Sequence, residues 1–515
     1  MIVEDQSEAI AFMATSRSDA AMRVDRVDTH TAVVFLAGER AYKMKRAVRF
    51  DYVDFSTLDR RERACRAEIQ VNRRTAPSLY LGVVPVTRQS DGALALGGAG
   101  TVVEWLVEMR RFDGSQLFDR LAADHQLDLR LMSTLGGAIA RFHAAASRRE
   151  ECGGLSGTAW VVDGNAAGFA EFAGILDPCL CARVSAGARA EMDRHGRLLE
   201  ERRGRGFVRE CHGDLHLGNI VLLDGEPTLF DGIEFNDRIS CIDVLYDLSF
   251  LLMDLWHRRL PRHANVVLNR YMAEAADLEG LRLLPLFLSC RAAVRAKTSA
   301  AGALVQVDGE RRRSLEETAR EYLALAADFL TAPSPRMLAV GGLSGSGKTT
   351  VAAALAPEIG AAPGAILLRS DEIRKQLCGV PLLERLGPDS YTPSVSRLVY
   401  ETLATRARAV LRAGHSVIVD AVFAEPSHRE DIARVAREES APFRGCWLTA
   451  PESVLTARVE ERRCDASDAT ADVVRQQYRQ QTSPASWTVV DATGTRDEIL
   501  RRCARSLTPA DLRRV

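Results

Sequence analysis

The sequence predicts a multidomain chain in which an α+β bilobal part precedes an α/β part built on a parallel sheet. Three observations predict it. Leu330-Thr-Ala-Pro-Ser-Pro-Arg336 sets two prolines between a long helical pattern and a new apolar run, so it reads as a linker. Ahead of it, short β-rich runs come first and mainly helical sequence follows from about residue 117. Behind it, apolar runs of strand length alternate with helical segments, the mark of a parallel sheet covered by helices. With 515 residues the chain needs more than one core. The expected limits are 1–330 (small lobe about 1–110, helical lobe about 111–330), a linker at 331–336, and 337–515.

In the first part, strand-like residues 33–36 and 41–44 flank Gly38-Glu39, a hairpin-style turn. Residues 58–74 are charged, free of breakers and suited to a helix. Strands are expected again at 83–87 and 102–107, with the loop Gly97-Gly98-Ala99-Gly100 between them. Helical sequence then runs to Leu330, interrupted near Gly153 and Gly213. In the second part the strand candidates are 337–341, 365–369, 416–420, 444–448 and 488–490.

Composition narrows the function classes. Apolar residues at 46% and charged residues at 27% exclude a mainly disordered chain. Sixty-eight basic against sixty-nine acidic residues argue against nucleic acid or an anionic membrane as partner of the whole chain. The N-terminal ten residues lack the basic start and apolar run of a signal peptide. The most apolar stretch, 245–256, contains Asp247 and Asp254 and is too short to span a bilayer. Eleven cysteines are scattered without a paired CxxC framework. A soluble, reduced, cytoplasmic protein is expected.

Gly342-Leu-Ser-Gly-Ser-Gly347-Lys348-Thr349 fits GxxxxGK[ST] at every fixed position, after an apolar run and before a helical pattern. Such a loop turns backbone N–H groups onto a phosphate, with the helix N-terminus behind it. Gly342, Ser344, Gly345, Ser346, Gly347 and Thr350 are thus candidate nucleotide contacts, with Lys348 on the outer phosphates and the Thr349 hydroxyl on Mg²⁺. Asp371 and Arg374 follow the second strand, where Asp371 would orient an acceptor hydroxyl and Arg374 would bind an anion. Asp420 ends another strand and is a further candidate for Mg²⁺. Arg458, Arg462 and Arg463 stand at helical spacing before residues 464–470, a pattern expected of a lid that brings arginine onto the transferring phosphate. This half resembles small-molecule P-loop kinases of the gluconate kinase, shikimate kinase and zeta-toxin-like group.

In the first part, His212-Gly-Asp214-Leu-His216-Leu-Gly-Asn219-Ile is followed, after a turn at Asp224-Gly225, by Leu229-Phe-Asp231. Phosphoryl transfer needs metal-binding groups and one group aimed at the nucleophile, and this loop supplies both. His212 and His216 at i,i+4 would suit zinc on a helix, but Gly213 between them disfavours one. The segment resembles aminoglycoside phosphotransferase-like and choline-kinase-like enzymes, distant relatives of protein kinases, and implies a protein-kinase-like N-terminal domain. By that resemblance Asp214 would orient or deprotonate the acceptor hydroxyl, while Asn219 and Asp231 would hold Mg²⁺. Ala41-Tyr-Lys43 resembles the strand whose lysine contacts the α and β phosphates; Lys45 points to the same strand face. Glu68 is the candidate partner of Lys43, with Glu62 the alternative. No GxGxxG loop precedes Lys43, and Asp28-Thr-His-Thr31 stands in its place. Glu234, Asp237, Asp243 and Asp247 would line an acceptor site or serve as caps and structural partners.

Almost the whole chain resembles a bacterial group that fuses an aminoglycoside-phosphotransferase-like domain to a P-loop ATP-binding domain. That resemblance implies a bifunctional kinase using ATP and Mg²⁺ to phosphorylate a hydroxyl of a small-molecule metabolite. Two other functions fit the same motifs: a P-loop ATPase switch governing a kinase-like binding module, or a toxin-like nucleotide-sugar kinase.

Overall fold

The computed structural model describes residues 3–15, 24–50, 52–461, 467–480, 484 and 486–507. The chain forms two compact units, one of Met1–Gly164 with Met192–Asp254 and one of Asn165–Glu191 with Leu255–Val515. Among the described residues, no helix is long and apolar enough to cross a membrane.

The first unit begins with a six-stranded antiparallel sheet. In spatial order its strands are Asp25–Asp28, Ala32–Ala37, Arg40–Lys45, Thr101–Arg110, Tyr80–Arg88 and Leu94–Leu96. Alternation along Arg40–Lys45 decides what each face does. Tyr42 and Met44 pack with Val33, Phe35 and Leu106 under the helix Ser7–Thr15. Ala41 faces the other way, toward Cys65 and Ile69 of the helix Leu58–Asn72, and Lys43 and Lys45 share its parity. That helix begins at Thr57, whose side chain accepts the Arg60 N–H.

Beyond the sheet the chain is mainly helical, but four short strands interrupt it. Val208–Glu210 pairs with Cys241–Asp243, and Ile220–Leu223 pairs with Glu226–Leu229. The second pair closes through Asp224 (φ 53°) and Gly225 (φ 85°), both left-handed, as a two-residue primed hairpin turn requires.

The second unit combines the helices Pro261–Ala275, Leu284–Val305 and Gly309–Phe329 with a five-stranded parallel sheet. The strands run in the order Ile366–Arg369, Val417–Asp420, Met337–Gly342, Phe443–Thr449, Thr488–Asp491. All five expected strands are present and every neighbour is parallel. Met337–Gly342 lies at the centre, buried along its whole length, which is why it reads as an unbroken apolar run. Residues 331–336 carry no helix or strand.

The edge strand Ile366–Arg369 has an unusual partner. In place of a further strand, asparagines one helical turn apart on Pro261–Ala275 meet its backbone. Asn269 accepts the Leu367 N–H at 2.7 Å and donates to the Ala365 carbonyl at 3.2 Å. Asn265 donates to the carbonyls of Pro363 and Ala365 at 3.2 and 3.1 Å. An amide side chain carries a separate N–H donor and C=O acceptor, as a strand edge does, so it can meet both kinds of backbone group.

Candidate functional site

In the first unit the strand parity brings Lys43 against helix Leu58–Asn72, and its Nζ lies 2.9 Å from Glu68 Oε1. The same ammonium also pairs with Asp231. Lys45 is buried deeper, between Glu68 Oε2 and Glu234 Oε1, each at 2.5 Å. The two lysines therefore divide the work: Lys45 holds the pair from behind, and Lys43 shares the more open side with Asp231, whose side chain is 41% exposed. Glu62 pairs with Arg66 on the helix surface instead. Burial pulls Lys43 down, but Asp231 and Glu68 outweigh it and hold it well above the ordinary lysine value. Burial likewise raises Glu68, and the two lysines override it to leave it below the usual carboxylate range. Glu234 goes the other way, burial raising it against the pull of Lys45.

The loop carrying Asp214 is fixed by a buried carboxylate. Asp247 accepts the N–H groups of His212 and Gly213 at 3.1 and 2.8 Å and faces His143 Nε2 at 3.1 Å. Asp254 accepts the Leu217 N–H at 3.0 Å. Asn219 donates Nδ2 to the carboxylate and carbonyl of Asp214 at 2.9 and 3.0 Å, which turns its Oδ1 the opposite way. Asp231 holds a left-handed backbone (φ 61°), and its N–H donates to the Tyr80 hydroxyl at 3.0 Å. His212 turns its Nε2 to the Phe230 carbonyl and His216 uses Nδ1 to accept the Gly218 N–H, so neither is arranged as a paired zinc ligand.

Lys43, Lys45, Glu68, Asp231 and Glu234 leave one negative charge in excess, with its most accessible carboxylate at Asp231. Together with Asn219 Oδ1 and Asp214 this is an oxygen donor set, the kind a hard divalent cation takes. Of the residues expected to line an acceptor site, Glu234 is spent on Lys45, Asp243 on buried Arg202 at 2.7 Å, and Asp247 on the loop. Where a glycine-rich cover was missing from the sequence, Thr29 and Ala32 close a tight turn instead, Thr29 N–H to Ala32 carbonyl at 2.9 Å.

In the second unit Gly342, Gly345 and Gly347 take φ of 138°, 84° and 86°. A Cβ on Gly342 would lie 2.4 Å from the Leu448 carbonyl oxygen, and one on Gly345 2.4 Å from that of Leu455. Helix Lys348–Leu355 starts directly behind, with Thr350 exposed in its first turn. Lys348 Nζ donates to the Leu343 carbonyl at 2.9 Å, and the Thr349 hydroxyl donates to Asp420 Oδ2 at 2.6 Å. Arg369 joins them, 3.5 Å from Thr349 Oγ1 and 3.7 Å from Asp420, while pairing with Glu372 at 2.7 Å. Burial raises Asp420 above the usual aspartate value despite Lys348 and Arg369. The Ser346 hydroxyl is buried with no hydrogen-bond partner among the described residues, a donor the loop itself does not use. Three φ-positive glycines, an unused hydroxyl and a Thr–Asp oxygen pair fit a bound phosphate chain and its cation.

Other expected residues are placed differently. Arg374 is buried over the Tyr391 ring and donates to the Ser390 carbonyl at 2.7 Å, so its guanidinium fastens the 388–391 turn. Asp371 is half-buried in the first turn of helix Ser370–Leu377. Burial raises Tyr400 to about 12, with Asp371 adding to the effect. Arg458 donates to the carbonyls of Ala492 and Gly494 at 3.0 and 3.3 Å. Arg462 lies outside the described residues. Two residues were not singled out by the sequence, although Asp468 falls within the expected lid. Gln477 accepts the Ser344 N–H at 3.0 Å, and Asp468 ties Lys375, the Tyr391 hydroxyl and the Leu386 N–H at 2.8–3.2 Å.

Residues 39–284 match the Phosphotransferase enzyme family, and residues 337–485 match an AAA domain. Uncharacterized proteins of Mycobacterium tuberculosis and Mycobacterium bovis are 30% identical over 484 residues, 92% of this chain and 93% of theirs. The chain belongs to their family. It joins a phosphotransferase domain to a P-loop kinase-like domain. Among solved structures, a gluconokinase from Sinorhizobium meliloti is similar at 24% identity over 33% of this chain and 91% of its own, with a TM-score of 0.25. A choline/ethanolamine kinase family protein from Mesorhizobium loti is similar at 14% identity over 62% of this chain and 99% of its own, with a TM-score of 0.36.

Proposed function

We propose that this phosphotransferase moves the γ-phosphate of ATP, with Mg²⁺, to a hydroxyl of a small-molecule metabolite, and that both units bind nucleotide. The observation that carries this reading is Lys43 shared between Glu68 and Asp231, in the same unit as the Asp214–Asn219 pair. In the first unit Asp214 would accept or orient the hydroxyl proton, with its carboxylate already steadied by Asn219. Asn219 and Asp231 would hold the metal, which supplies charge neutralisation at the phosphates. Lys43, kept cationic by its carboxylates, would pass from Asp231 to the phosphates while Lys45 keeps Glu68 compensated. In the second unit Lys348 would leave the Leu343 carbonyl for the outer phosphates, and Thr349 with Asp420 would hold the metal.

The test is transfer of labelled γ-phosphate from ATP into a bacterial metabolite extract by wild type, Asp214→Asn and Lys348→Ala. A labelled product lost in one variant assigns it to that unit, with a loss of about 10²–10⁴ expected for the general-base position. ATP hydrolysis with no labelled product would defeat the kinase reading. The turn at Thr29–Ala32 favours one second reading, a P-loop switch governing a kinase-like binding module. In that case Asp214→Asn would leave every phosphate transfer untouched.

A further inference from the structure

The second unit holds a cavity of about 270 Å³ that the phosphate loop does not border. One wall is the strand Ile366–Arg369, another is helix Pro261–Ala275 with the turn after it, and a third is helix Pro393–Arg412. Met272, Leu278, Ile373 and Ala409 make much of its surface aliphatic. At about 30 Å³ per water, the space holds about nine waters or an organic molecule of similar heavy-atom count.

Arg406 brings a charge to this wall without bringing a counter-ion. Its Nη1 donates to the neutral amide oxygen of Gln376 at 2.7 Å, and it has no ion pair among the described residues. Glu372 and Glu279 also line the cavity, yet neither pairs with it; Glu372 is held by Arg369 at 2.7 Å. Burial lowers Arg406 from the ordinary arginine value. A half-buried guanidinium is costly unless an anion compensates it, and its planar fork of five donors suits a carboxylate or phosphate. The Asn269 amide borders the same space.

We propose that this cavity is a binding site for a small organic anion, its carboxylate or phosphate held by Arg406 and its aliphatic body laid against Met272 and Ala409. Arg369, which also stands beside Thr349, borders the cavity, but the proposal does not depend on the transfer chemistry assigned above.

Titration calorimetry on the full chain tests this with hexanoate and butyl phosphate as anionic probes and hexanamide as the neutral one. At least one anion should bind, with hexanamide about tenfold weaker or more, and Arg406→Gln should weaken the anion by about the same factor. Ala409→Phe, which fills the cavity and leaves the guanidinium in place, should abolish binding and so separate this site from anion capture at the phosphate loop. Hexanoate alone binding would identify a carboxylate ligand, and butyl phosphate alone a phosphate ester. The assignment is overturned if neither anion binds the folded chain, if hexanamide binds as well as the anions, or if either substitution leaves binding unchanged.

Discussion

Glu68 has no exposed surface, and both of its oxygens face ammonium groups, so removing its charge strands two buried lysines. Glu68→Gln should destabilise the first unit by about 3–5 kcal/mol near neutral pH, read from urea denaturation. Its folded pKa is held below the ordinary value of 4.5, so the stabilisation is complete above that value and fades as pH falls beneath it. The gap between wild type and Glu68→Gln should therefore narrow on acidification; a gap that widens would refute the ion-pair account. At the phosphate loop, Gly345→Ala combines a left-handed φ of 84° with a Cβ 2.4 Å from the Leu455 carbonyl oxygen. It should cost about 1–3 kcal/mol and abolish nucleotide binding in the second unit, measured with a fluorescent ATP analogue. Unchanged affinity would mean the loop has room that the structure does not give it.

At the scale of elements, the asparagine pair on helix Pro261–Ala275 does the work of a neighbouring strand. Asn269→Leu leaves the half-buried Leu367 N–H unpaired, so the melting temperature should drop by the equivalent of about 1–3 kcal/mol. The strand it serves ends at Arg369, beside Thr349 and Asp420, and nucleotide affinity in the second unit should weaken with it. An equal melting temperature would show that water replaces the amide without loss. Elements of this kind mark where sequence reading succeeds and fails. The Asp224-Gly225 turn, the five parallel strands and the phosphate loop were legible because their signals are local: a dipeptide, an apolar run, a fixed spacing. Asp214, Asn219 and Asp231 were legible only through their pattern, and the resemblance carried Lys43 and Glu68. The rest depended on contacts across long sequence distance. Lys45 and Glu234 stand 189 positions apart, and Ser344 and Gln477 133, so nothing near either residue announces its partner. Arg374 and Arg458 show the converse, since helical spacing presents an arginine without saying whether a phosphate or a carbonyl receives it.

At the scale of the molecule, the two units are interleaved in sequence, with Asn165–Glu191 and Leu255–Val515 making up the second. The phosphotransferase-family match ends at residue 284, yet Asn265 and Asn269 within it complete the edge of the P-loop sheet. A fragment of residues 337–515, cut at the proline-rich link, should therefore expose Ile366–Arg369 as an open strand edge. It should melt lower than the second unit of the full chain and associate with concentration in size-exclusion chromatography. A monomeric fragment of undiminished stability would show the helix to be dispensable. The asparagine-bound edge also bears on heredity. A recombination event at residues 331–336 would pass on a sheet lacking its side-chain partners, and a donor helix whose Asn265 and Asn269 amides have lost their strand. Folding would thus penalise both products of such a break, a cost that favours one reading frame for the two coding segments whether or not their chemistries ever meet.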